Sequence, residues 1–109
     1  MAKYMLLYRG PATPMEEMTP EQTEAVMQDW NTWIARLGPT LTEVGTPFGT
    51  RAAVAADGSS PAPADLQGYS IVEADSLDAA KATCEKHPFL STGEAKFLVD
   101  VFEMVPMEM

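Results

Sequence analysis

The chain has one cysteine and one histidine in 109 residues, and seven lysines and arginines against sixteen aspartates and glutamates. Each scarcity excludes something. One cysteine cannot close an internal disulfide, so a reducing cytoplasm is the natural compartment. One cysteine and one histidine also fall short of an ordinary zinc ligand set. The segment GTPFG at 45–49 lacks both the spacing and the following helix of a phosphate loop, so the expectation is no metal and no cofactor. A net charge of −9 and a pI near 4.3 repel phosphate backbones and anionic lipid, which argues against nucleic-acid and membrane partners. No apolar run approaches the ~20 residues of a membrane helix, and the first residues carry no signal-peptide core.

What is present describes one domain over residues 1–109, with 46% hydrophobic and 21% charged residues. KYMLLY (3–8) is apolar on both faces and reads as a central strand. TPEQ announces a helix: Thr19 caps, Pro20 suits the first turn and Gln22 completes a capping box. Val26, Met27, Trp30, Trp33, Ile34 and Leu37 then share one helical face, until Gly38-Pro39 stops the run. A second strand is expected at 50–56, followed by a loose Gly-, Ser- and Pro-rich connection at 57–65. QGYSIVEA (67–74) reads as a third strand. Residues 75–86 read as a helix capped by Asp75 or Ser76, with Leu77, Ala80 and Cys84 inward. Pro88 disfavours helical geometry at His87. The fourth strand is expected at 96–105.

That order, βαββαβ, is an α+β ferredoxin-like sandwich with two helices on one sheet face. In the last strand Phe97, Val99 and Val101 alternate with Leu98, Asp100, Phe102 and Met104, so both faces are largely apolar. An exposed sheet face of this kind exceeds what a soluble monomer tolerates. The expectation is a homodimer packed through that face.

At this point the residues resemble a family. YMLLYRG, the WxxWxxxLG run from Trp30 to Gly38, VGTPF, Asp57-Gly58, and above all GYSIVEADSLDAA followed by HPFLSTG look like the YCII-related domain, in its YCII-like, DGPF-type branch. The likeness spans about residues 3–103. It implies a ferredoxin-like fold that dimerises into an α+β barrel. It also implies, in founding members, a His–Asp pair in a cleft between sheet and helix, and in some relatives a part in degrading small aromatic or halogenated compounds. The family histidine falls early in the first long helix, where this chain reads VMQDW and offers Gln28 and Asp29. The family aspartate falls just before the proline after the second helix, where this chain has His87. Asp100 matches an acidic position in the last strand of closer relatives.

His87 has two readings. A histidine near neutral pKa on a loop over the sheet is the best general base available. A histidine at a helix end is equally a cap that bonds a terminal carbonyl. Asp100, among apolar neighbours, is either a pocket carboxylate or the partner of Arg9, Arg36 or Arg51. Trp30 and Trp33 pack on the sheet or wall a pocket. Tyr8 and Tyr69 present hydroxyls to core or cleft, and Arg9 anchors an anionic group or closes an ion pair. Two functions stay open. One is a cofactor-free acid–base enzyme of lyase or isomerase type, with His87 and Asp100 catalytic and Arg9, Tyr8, Trp30, Trp33, Asp29 and Tyr69 holding a small organic substrate. The other is a non-catalytic dimeric binding or accessory domain that has lost the family pair.

Overall fold

The computed structural model describes residues 1–11, 19–85, 87–90 and 96–106. Its elements are β1 (Ala2–Arg9), α1 (Pro20–Leu37), β2 (Leu41–Glu43), β3 (Leu66–Ala74), α2 (Leu77–Ala82) and β4 (Leu98–Met104). The strands form one antiparallel sheet in the order β2-β3-β1-β4. An α+β chain with this sheet and two helices is compatible with a ferredoxin-like fold.

Strand alternation assigns the two faces. Tyr4, Leu6 and Tyr8 of β1 lie across from Val72, Ser70 and Gly68 of β3, and these point to the helices. With Trp33, Ala74 and Ala80 they form the core, and Ile34, Leu37, Leu41, Cys84, Phe89, Val99 and Val101 close around it. The opposite face carries Met5, Leu7, Tyr69, Ile71, Leu98, Asp100, Phe102 and Met104, with no helix over it among the described residues. Phe102 there is 56% exposed.

α1 begins as its sequence demands. Thr19 Oγ1 accepts the Gln22 amide at 3.1 Å, and the Gln22 side chain accepts the Thr19 amide at 2.9 Å. Its inward stripe is shorter than expected: Trp30, Trp33, Ile34 and Leu37 face the core, while Val26 and Met27 are exposed. In α2 the cap is Ser76, whose hydroxyl accepts the Ala79 amide at 3.1 Å. Leu77, the first helical residue, faces solvent rather than the core. The helix stops at Ala82, short of the expected 86, because Thr83, Cys84 and Glu85 donate to carbonyls three residues back and tighten the chain into a turn.

The second strand is not at 50–56. It is the short β2, and the chain leaves the sheet soon after. Gly45, at φ 84°, presses its α-carbon against the Tyr69 carbonyl. Pro47, which has no N–H to donate, then makes one isolated bridge to Gly68. Residues 50–65 follow as an arm off the β2 edge. The radius of gyration is accordingly 15.6 Å, against about 13 Å for a compact domain of this length. Loop expectations at 12–18 and 91–95, and at Lys86, lie outside the described residues.

Gly45→Ala tests this exit. A β-carbon there would stand 1.8 Å from the Tyr69 carbonyl oxygen and in a backbone region L-residues avoid. Urea unfolding is expected to show a loss of about 2–3 kcal/mol. An unchanged midpoint would mean the chain does not cross β3 in this way.

Candidate functional site

His87 is fully buried, which neither a solvent-facing cap nor an open base would be. The turn after α2 carries it inward: its amide donates to Cys84 O at 3.0 Å, and its carbonyl accepts from Leu90 at 3.0 Å. The ring is bonded at both nitrogens. Nδ1 accepts the Phe89 amide at 3.0 Å, and Nε2 lies 3.1 Å from Tyr8 Oη. Because Nδ1 is an acceptor, the neutral ring carries its proton on Nε2 and donates it to Tyr8. Tyr8 in turn donates to Ser70 Oγ, and Ser70 donates to the Val44 carbonyl at 2.5 Å. Protons in this chain all point one way, from Phe89 N–H to Val44 C=O.

The electrostatics agree with that order. Burial first, and the positive charge of Arg36 second, hold the His87 pKa down to about 4. Burial also pushes the Tyr8 phenol up, partly opposed by its Ser70 bond. The relay is therefore neutral throughout at pH 7. It leaves His87 with no lone pair for a substrate.

Aromatic rings pack around the imidazole. Trp33 lies 4.3 Å away between centroids, Tyr8 4.9 Å and Trp30 5.0 Å. Phe89 stacks on Tyr8 at 5.3 Å. Trp33 is itself fixed, because its indole N–H donates to Thr83 O at 2.8 Å. Arg36 Nη2 donates to the same carbonyl at 3.0 Å and to Glu85 O at 2.5 Å. Two side chains of α1 thus satisfy carbonyls that the end of α2 leaves open.

Between these elements lies a cleft of about 480 Å³, lined by Asp29, Thr32, Trp33, Arg36, Cys84, Pro88 and Leu90, with His87 at its floor. Asp29 is exposed on the α1 side of the rim. Burial raises the Cys84 thiol pKa, so a thiol and not a thiolate faces the cleft. Among the described residues no three His, Cys, Asp or Glu side chains gather as a metal site. No helix among them is long and apolar enough to cross a membrane.

The structure brings together His87, Tyr8, Trp30 and Trp33, with Asp29 at the rim. It does not bring Asp100 to them. Val99 pairs across from Tyr8 on the helix face, so its neighbour Asp100 points to the other side of the sheet. There its carboxylate takes a two-pronged bond from Arg9, at 2.8 Å from Nε and 3.0 Å from Nη2. Tyr69 is on that open face too, donating to Glu43 at 2.5 Å and stacked on Phe48 at 5.9 Å. The Glu43 bond raises the Tyr69 pKa. Sequence reasoning missed Ser70, although a signal existed: it shares its parity in β3 with the buried Val72 and Ala74, a polar residue in an apolar row.

No protein-family model matches the chain, and no curated protein matches it. Among solved structures, the chain is similar to the 5-chloro-2-hydroxyhydroquinone dehydrochlorinase TftG of Burkholderia phenoliruptrix AC1100, in complex with 2,5-dihydroxybenzoquinone. The identity is 22% over 89% of this chain and 90% of that one, with a TM-score of 0.43.

Two measurements test the geometry. An unfolded histidine binds its proton near pH 6.5 and the folded one near 4, so stability falls as pH falls through that window. With one histidine in the chain, about 2 kcal/mol of unfolding free energy should disappear between pH 7.5 and 5, before most carboxylates titrate. A flat profile over that range would rule out the buried neutral ring. Asp100→Asn should cost no more than about 1 kcal/mol by chemical denaturation, since the Arg9 pair is partly exposed. A loss several times larger would place the carboxylate in a buried network instead.

Proposed function

We propose that this protein is a homodimeric, cytoplasmic small-molecule-binding domain whose ligand occupies the cleft between α1 and the Pro88–Leu90 turn. The lining of that cleft carries the reading. Its volume of about 480 Å³ falls in the usual range for small-ligand sites, about 300–1,000 Å³. Trp33, Cys84, Pro88 and Leu90 supply an apolar wall, and Asp29 and Thr32 supply polar groups at the rim. Arg36 Nη2 is engaged by two carbonyls, whereas the Asp29 rim accepts hydrogen bonds. A small planar molecule with hydroxyl groups suits that arrangement better than a carboxylate does.

Binding is favoured over acid–base catalysis because the His87 ring is bonded at both nitrogens and stands on the other side of the sheet from Asp100. His87 then acts as a fixed floor that holds Tyr8 and Trp33 in place. Dimerisation follows from the uncovered row of Met5, Leu7, Ile71, Leu98, Phe102 and Met104, which two helices cannot reach. A second copy of the same face is the simplest cover.

Catechol serves as a probe. In ¹⁵N-resolved titrations to roughly 10 mM, which would nearly saturate a site with a Kd of 1 mM, amide shifts are expected at 29–36 and 84–90. Thr32→Trp, a change on the exposed rim, should abolish them. Shifts absent, or scattered over the surface, would remove the cleft from consideration. Turnover of a phenolic substrate that depends on His87 would restore the enzyme reading.

A further inference from the structure

The arm of residues 50–65 has no role in its own protomer. Among the described residues, backbone groups of 50–54 make no backbone hydrogen bond, and Val54 is 79% exposed. The arm is nonetheless built. At its base Arg51 donates to the carbonyls of Gly49 and Leu66, while at its tip Asp57 Oδ1 accepts the Ser59 amide at 2.9 Å and the Ser59 hydroxyl at 2.6 Å. Ala55 and Ser59 close that turn at 2.8 Å, and Gly58 donates to Ala55 O at 2.9 Å. Between base and tip runs RAAVAA, a segment patterned as a strand and lacking a neighbour.

Area says what the neighbour is. A compact monomer of 11.8 kDa exposes ~5,900 Å², and this chain exposes 7709 Å², an excess of about 1,800 Å². Obligate homodimers bury about 1,000–2,500 Å² per protomer. The excess matches a partner of the chain's own size.

The sheet has one vacant edge. On the β3 side, Leu41–Glu43, the Pro47 bridge and the Phe48 amide already occupy the rim. On the other side, no strand among the described residues pairs with the outer edge of β4. β4 reads LVDVFEM, seven residues with neither lysine nor proline, the usual guards of an open edge. Six extended residues span about 20 Å and fit a strand of that length.

We propose that residues 51–56 of one protomer add as a strand to the outer edge of β4 in a second copy, and reciprocally, so that the arms clasp the dimer. This rests on the homodimer proposed above and adds to it a specific backbone pairing. Because base and tip are already fixed, little ordering entropy opposes the docking.

The test uses the full chain, wild type and Val54→Pro. Proline removes one amide and restricts a strand, yet position 54 is exposed and its loss leaves the core alone. Sedimentation over a dilution series is expected to show a wild-type dimer and at least a ten-fold weaker Kd in the variant, with unchanged far-UV circular dichroism. Hydrogen exchange should show slow amides within 51–54 at concentrations where the dimer forms, and fast ones on dilution to monomer. A wild-type dimer with fast-exchanging arm amides and an unaffected Val54→Pro Kd overturns the clasp and leaves the sheet-face dimer standing. A wild-type monomer at micromolar concentration overturns both.

Discussion

A buried imidazole is stable only when both nitrogens are bonded, and that requirement organises one side of this molecule. Meeting it draws in the turn after α2 through Phe89, the central strand through Tyr8, β3 through Ser70, and the end of β2 through Val44. Four elements far apart in sequence are joined by one line of protons. A hydroxyl in such a line can donate once and accept once without conflict, so the order is self-consistent. The same bonds that secure the ring also withhold its lone pair.

The second constraint is a count of layers. Two helices cover one face of a four-stranded sheet, and β1 and β4 are apolar on both. The helix face closes with Trp33 and Leu6 fully packed. The other face keeps Phe102 and Met104 in solvent, relieved by one paired carboxylate at Asp100. A protomer of this kind is a half-finished core, and its binding cleft lies on the finished half.

Much of this was legible in the sequence, for identifiable reasons. The Thr19–Gln22 box and the Gly38 stop depend on local chemistry alone, and both stand where the residues put them. Period-two alternation gave β3 to within a residue and put Asp100 on a face with Leu98, Phe102 and Met104. Residues 50–56 misled because an unpaired extended segment has the composition of a paired one, and pairing is a tertiary fact. His87 misled because its burial depends on a turn tightened by three-residue bonds after Ala82, which propensity does not foretell. Arg9 was one of three arginines offered to Asp100. Only register, setting Arg9 against Leu98, selects it.

The strand order carries a kinetic consequence. β1 is the first segment to be synthesised, yet its two neighbours are β3 and β4. The pairs it needs are separated by about the whole chain, as Lys3 with Met104 shows. At translation rates of about 5–20 residues per second, β1 waits several seconds with Tyr4, Leu6 and Tyr8 unpaired. Non-local pairing of this kind slows folding, because loop closure must precede the contacts that repay it. A nascent chain of this protein is therefore exposed at its most apolar strand for longest, which is the period in which a chaperone that recognises short extended apolar segments would find it.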